Sequence, residues 1–265
     1  MRLNASTIFQ NRYREKPSIL LCHIPKTGGS SVASAIRRHY LFSNFNIRSE
    51  ASTLASLAQY GLDANDPAGE NACQTLRSGL VFYAAAQGIK FITGHLWRPR
   101  HMSSLKTMGY QTMTILRDPV DRWYSLYFYQ RFKEGGYASI DMDFEDFLTS
   151  NKGLNAGRVC VRYLGGIRAD NDYNSADALE QARSGLDDFD MVGFLDDLNG
   201  FSQRVEERLG LKLRIPHKRK SPARKGEDPL ASMRRYKESA EIRTQVAALC
   251  APDIELYEYA RQRFG

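Results

Sequence analysis

The sequence has no long hydrophobic run, few cysteines and no internal repeat, and each shortage closes off a class of protein. No stretch reaches the roughly 18 consecutive apolar residues that a membrane-spanning helix needs. The 265 residues include 4 cysteines, Cys22, Cys73, Cys160 and Cys250, widely spaced and without a CxxC or Cys/His ligand pattern. They read as buried thiols rather than as a disulfide framework or a zinc site. Residues 1–16 are polar and basic and lack the apolar core of a secretory signal. The expectation is therefore a soluble, cytoplasmic chain. Low-complexity tracts and Pro/Ser-rich linkers are also missing, which favours one domain over residues 1–265, with 1–16 as a flexible N-terminal segment.

What is present is ordinary globular composition, 42% hydrophobic and 25% charged, with a net charge of +7. The composition supports a folded core. The charge suggests an anionic partner, whether nucleotide, acidic glycan, nucleic acid or membrane surface. Residues 19–24 form a short apolar run between Pro17 and Pro25, the pattern of a buried parallel strand. Residues 90–93, 112–116 and 191–195 read as further inner strands. Helical spacing appears over 30–40, from Asp118-Pro119 onward, over 198–209 as far as Gly210, and over 238–249 and 254–264. Strands alternating with helices predict a parallel sheet covered on both faces. Residues 50–87 are the least legible and are expected to be helices forming a lid or substrate wall.

Three segments carry chemistry. The first, Pro25-Lys26-Thr27-Gly28-Gly29-Ser30-Ser31, follows a strand and opens a helix. A helix N-terminus offers unpaired N–H groups and the positive end of the dipole, so this is an anion site. Gly28 and Gly29 let a phosphate approach the backbone, Ser30 and Ser31 add hydroxyl donors, and Lys26 adds a charge. A plain strand-to-helix turn with a solvated lysine fits the same residues. It is not a Walker A loop, because the lysine precedes the glycines. The second segment is Leu116-Arg117-Asp118-Pro119-Val120-Asp121-Arg122-Trp123-Tyr124-Ser125. Asp118 is an N-cap and Pro119 the first helical residue. Arg117 can fork onto a phosphate, and Arg122 and Ser125, three apart, are expected to share a face. Surface charges on a solvated helix start are the alternative. In the third, Thr93-Gly94-His95-Leu96, His95 follows an inner strand, where ligands of open α/β sheets gather and an imidazole could act as general base.

Together the first two segments resemble the phosphosulfate loop and the 3′-phosphate motif of sulfotransferases that use 3′-phosphoadenylyl sulfate (PAPS). They stand in that family's order, about ninety residues apart. Within it the likeness runs to the carbohydrate branch that includes heparan sulfate 2-O-sulfotransferases, and it covers most of residues 18–264, with 46–87 the stretch where it cannot be followed. The resemblance implies a P-loop-like three-layer α/β sandwich with a mainly parallel central sheet. It implies that Lys26 meets the bridging oxygen of PAPS while Thr27, Gly28, Gly29, Ser30 and Ser31 hold the 5′-phosphate. Arg117 and Ser125 then hold the 3′-phosphate, His95 deprotonates a hydroxyl of a saccharide acceptor, and no metal is required. Adenosine 3′,5′-bisphosphate is the product. The branch carries a second histidine where this chain has Thr93. His23 is read as structural and His101 as a poorer candidate base. Residues 217–225, HKRKSPARK, match a basic loop that closes over the nucleotide in such enzymes, and Ser221, Arg224 and Lys225 are its expected contacts. Trp97, Arg98 and Arg100 offer a stacking face and two cations to a sugar. The rival readings are a kinase using ATP and Mg²⁺, for which the Walker lysine and carboxylate are missing, and a nonenzymatic anion-binding module.

Overall fold

The computed structural model describes residues 16–62, 67–133, 138–166, 173–216 and 229–265. The basic loop with Ser221, Arg224 and Lys225, and residues 1–15 of the N-terminal segment, lie outside the described residues.

Five strands form one sheet: β1 Ser18–Cys22, β2 Asn44–Ile47, β3 Phe91–Gly94, β4 Tyr110–Leu116 and β5 Met191–Phe194. Their order is β2-β3-β1-β4-β5 and every pairing is parallel. Helices α1 Gly29–Arg37, α2 Ser49–Tyr60, α3 Pro67–Ala86, α4 Met102–Thr107, α5 Pro119–Arg131, α6 Phe144–Thr149, α7 Asn151–Ala156 and α8 Val159–Gly165 accompany the first four strands. Helix α9 Ala176–Asp187 precedes β5, and α10 Leu198–Leu209, α11 Pro229–Glu238, α12 Ala240–Leu249 and α13 Ala251–Phe264 complete the chain. The expected α/β sandwich with a parallel central sheet is thus the architecture found.

β1 is the central strand, and its side chains alternate between the faces as a strand requires. Ile19 and Leu21 join Val32, Ile36, Met113, Phe201 and Val205 on one face. Leu20 and Cys22 join Ile92, Val192, Leu164, Leu186 and Leu256 on the other. Each such fully buried aliphatic side chain contributes about 1.5–3 kcal/mol from removal of its surface from water. A third cluster gathers around α5, with Trp123, Tyr124, Tyr127, Phe144 and Phe147.

Parallel pairing puts the carboxyl ends of β1, β3 and β4 on one side, where their loops meet. That is the usual ligand side of an open α/β sheet. Gly210, with φ 67, ends α10 where the sequence placed its stop. The helical pattern over 238–249 begins instead at Ala240, because the Ser239 side chain accepts from Ile242 N and caps it. Edge strand β2 was not foreseen, since four half-polar residues, Asn-Phe-Asn-Ile, carry no strand periodicity of their own. Residues 50–87 are largely helical, as expected, in α2 and α3.

Candidate active site

The loop after β1 is held in an unusual shape. Lys26 has φ 67 and Gly28 φ 86, both left-handed. Glycine adopts this freely, but a lysine there carries strain of about 1 kcal/mol or more. Two bonds hold it. Thr27 Oγ1 donates to the Ile24 carbonyl at 2.9 Å, and Arg117 Nη1 donates to the Lys26 carbonyl at 3.2 Å. Thr27 is fully buried, so its hydroxyl serves the loop and only its backbone can serve a ligand. Packing also demands the glycines. A Cβ on Gly28 would lie 2.4 Å from Leu195 Cδ1, and one on Gly29 would lie 2.1 Å from His23 Cδ2. Ser31 N closes back on the Gly28 carbonyl at 3.0 Å, whereas the amides of Gly29 and Ser30 at the tip of α1 have no backbone acceptor among the described residues. This is the donor arrangement an oxyanion needs.

Lys26 Nζ lies 3.7 Å from the centre of the Tyr129 ring, a cation–π contact. Burial, and then the nearby Arg117 guanidinium, pull its pKa down to about 8. Arg117 follows β4 and is itself drawn below the usual arginine value, chiefly by burial. Two cations thus face one loop. Asp121 and Asp118 favour the charge on Arg117, but neither cation has an ion pair among the described residues, and a bound phosphate would relieve the repulsion between them.

Asp118 caps α5 as expected, accepting from Asp121 N at 2.8 Å, with Pro119 in the first turn. Ser125 is half-buried on the same helix. Arg122 does not share a ligand face with it. Arg122 is wholly buried and lies 3.7 Å from Asp253 Oδ2, because α5 is enclosed on that side by α7 and α13. Asp253 in turn accepts from Cys160 N and Val161 N, both at 2.9 Å. Arg122 is therefore an internal tie and not part of a solvated surface.

His95 stands just beyond β3 in a cleft of about 240 Å³, whose lining includes His23, Ser30, Arg37, Arg48 and Ser49. Its pKa is pushed down to about 4, first by burial and then by the charge of Arg77. Its Nδ1 is buried without a hydrogen-bond partner among the described residues. Arg77, from α3, donates to the His95 carbonyl at 2.6 Å, to Ser52 Oγ at 2.9 Å, to the Ser49 carbonyl at 3.0 Å and to Thr53 Oγ1 at 3.1 Å. It is 4% exposed. No carboxylate pairs with it among the described residues.

The structure therefore brings Lys26, Gly28, Gly29, Ser30 and Arg117 to one end of the sheet, with His95 beside them. For the remaining candidates the agreement is mixed: Arg98 departs from expectation, whereas the places of Trp97 and His101 fit readings the sequence allowed. Arg98 pairs with Asp188 at 2.8 Å and donates to the Leu164 carbonyl at 2.9 Å, so its guanidinium is committed to the scaffold. Trp97 packs against the core and Arg100 is exposed. His101 is exposed at the head of α4 and is not in the cleft lining. Sequence reasoning missed Arg37, Arg48, Arg77 and Tyr129. Only Tyr129 had a signal, its place four residues after Ser125 on one helix face.

Among curated proteins none matches the chain. A solved structure from the PezAT chromosomal toxin-antitoxin system of Streptococcus pneumoniae is similar over 96% of this chain and 94% of that one, at 14% identity and a TM-score of 0.36, which is too distant to support an argument. The model of the sulfotransferase family matches residues 10–260. With that match spanning β1 to α13 and both loops at the carboxyl end of the sheet, the chain belongs to the sulfotransferase family.

Proposed function

We propose that this sulfotransferase takes the sulfuryl group from PAPS and delivers it to a hydroxyl of a saccharide. The observation that carries the reading is the bond from Arg117 to the Lys26 carbonyl, 3.2 Å long across 91 residues of sequence. It joins the two anion-binding segments into one site, which is what a nucleotide phosphorylated at both ends requires. Arg117 and Ser125 hold the 3′-phosphate. The amides at the start of α1, with Ser30 and Ser31, hold the 5′-phosphate. Lys26 meets the negative charge that grows on the leaving phosphate as the sulfur–oxygen bond breaks, a preorganised electrostatic contribution. His95 accepts the proton of the attacking hydroxyl as the new oxygen–sulfur bond forms. Being neutral above about pH 4, it is ready as a base throughout the physiological range.

The lining of the cleft favours a sugar acceptor. Ser30, Asn46 and Ser49 offer polar groups, Arg37 and Arg48 offer cations, and no acidic side chain is among the described lining residues. Such a surface suits a polyhydroxylated molecule bearing acid groups.

Titration calorimetry tests the donor. Adenosine 3′,5′-bisphosphate should bind far more tightly than adenosine 5′-monophosphate or ATP. A preference for ATP with Mg²⁺ would instead support a phosphotransferase, and binding of nucleic acid or anionic lipid without any nucleotide would support a nonenzymatic module. Release of adenosine 3′,5′-bisphosphate from PAPS across a panel of neutral and acidic saccharides tests the acceptor.

A further inference from the structure

His23 is the residue of the cleft that neither anion-binding segment explains. It directly follows an apolar strand, where an aliphatic side chain would pack without desolvating a polar ring, yet it carries an imidazole that is 8% exposed. That ring lies 4.2 Å from the ring of His95, centre to centre, with the planes 30° apart. On its other side the imidazole presses on the first turn of α1, filling the space a Cβ at Gly29 would need. Thr93 stands where the resemblance would place a second imidazole, but its hydroxyl is turned to the Leu21 carbonyl at 3.0 Å. The charged groups near the pair come from every surrounding element: Lys26 from the loop, Arg37 from α1, Arg48 at the head of α2 and Arg77 from α3. All are cations.

We infer that His23 is a positioning residue for the base: wedged over Gly29, its ring stacks on His95, fixes the plane of that imidazole and keeps water from it. The site thus has two imidazoles, the second supplied by the loop after β1 instead of by β3. The inference rests on the reading of His95 as the base.

The chemistry of the pair agrees. Burial holds both rings below the ordinary histidine value, and a proton on either is opposed by the surrounding cations. With its proton disfavoured by burial, His23 acts as a cover rather than as a charge. A hydrocarbon ring of similar size should serve in its place, whereas a side chain without a ring should admit water and let His95 protonate more easily.

The test follows the titration of His95 by NMR of the ring protons, assigned with His95→Gln, in the parent and in His23→Phe, His23→Gln and His23→Ala. In the parent the midpoint should lie near 4. His23→Phe should hold it there. His23→Gln and His23→Ala should each raise it by about a unit or more, a tenfold or greater change in protonation at a given pH. Should His23→Ala fail to fold, His23→Gln gives the same comparison. Two results would overturn the inference. If neither ring-less variant moved His95, the stack would not shield it. If His23→Phe moved it as far as His23→Gln, the ring nitrogens and not the cover would matter. Affinity for adenosine 3′,5′-bisphosphate, measured on the same samples, keeps this separate from the donor reading: a parent that failed to bind it would sink that reading and leave the histidine titrations standing.

Discussion

On the proposed assignment, the donor side and the acceptor side of this site are built in opposite ways. On the donor side, two short segments each supply strand end, turn, cap and ligand group in sequence order, and a single bond between Arg117 and Lys26 joins them. On the acceptor side no segment is complete. His95 comes from the loop after β3, His23 from the loop after β1, Arg48 from the head of α2, Arg37 from the end of α1 and Arg77 from α3. Binding of a phosphate needs only local backbone geometry and nearby cations, so it can be encoded locally. Holding one imidazole neutral and oriented needs burial, which only the packed fold provides.

The comparison breaks most visibly at His95. Its replacement by alanine should lower turnover by about 10²–10⁴-fold, the usual contribution of a positioned base. Affinity for adenosine 3′,5′-bisphosphate should be unchanged, because the imidazole lies in the acceptor cleft. Burial also moves the expected pH profile. The ascending limb of kcat/KM should centre near pH 4 rather than near the ordinary histidine value. The same depression has a consequence for folding. Unfolded His95 binds its proton near pH 6.5 and folded His95 only near 4, so stability is full above 6.5 and falls as pH drops between them. An ascending limb that persisted unchanged in the His95 variant would exclude His95 as the base.

Arg117→Ala attacks the opposite side. A hydrogen bond to a charged group is worth about 1.5–3 kcal/mol, so affinity for adenosine 3′,5′-bisphosphate should drop roughly ten- to a hundredfold. Because Arg117 also holds the Lys26 carbonyl, Ser125→Ala is the cleaner probe of the 3′-phosphate alone. It should weaken the bisphosphate and spare adenosine 5′-monophosphate. Equal losses for both nucleotides would place Ser125 away from the 3′-phosphate.

Much of this contrast was legible in the sequence. The glycines, the lysine before them and the Asp118-Pro119 helix start are local signals, and the structure places them as the pattern implied. The inner strands were visible as apolar runs because a parallel sheet covered on both faces leaves them no polar side. Edge strand β2 was not, being half-polar and only four residues long. Arg122 and Arg98 misled for one reason: a charged residue in sequence looks solvated, and only the fold shows the Asp253 and Asp188 carboxylates that receive them. Arg77 lies within a 20-residue helix that the sequence suggested only as a wall, with nothing to mark it off from any surface arginine.

Arg77 sharpens the comparison from the acceptor side. Arg77→Gln keeps part of the hydrogen bonding but removes the charge beside His95. Losing the bond to the His95 carbonyl should lower kcat by about tenfold, the worth of one charged hydrogen bond. The acid limb of the pH profile should shift upward, since a nearby cation no longer opposes the imidazolium. Nucleotide affinity should hold. A variant that lost nucleotide binding in proportion to kcat would show Arg77 supporting the whole domain end and not the acceptor side.

The smallest expected effect is also the most direct reading of the donor side. Lys26 in the free protein is held down to about 8 by burial and by Arg117. A phosphate beside it stabilises the ammonium and raises that value on binding. The sign follows: below pH 8 the lysine is already charged and affinity is full, whereas above pH 8 binding must take up a proton and affinity declines. Between pH 7 and 9 the loss should stay within about tenfold, the most that a single proton uptake across one unit above the free value allows. Calorimetry at pH 8.5 in buffers of different ionisation enthalpy should show a fractional proton taken up with adenosine 3′,5′-bisphosphate. Lys26→Met should abolish both the uptake and the pH dependence. Its kcat should fall more than its affinity for PAPS does, because the charge the lysine meets is absent from the bridging oxygen of bound PAPS and grows as the sulfur–oxygen bond breaks. Proton uptake that persisted in Lys26→Met would assign the linkage to another group and leave Lys26 a spectator on the Tyr129 ring.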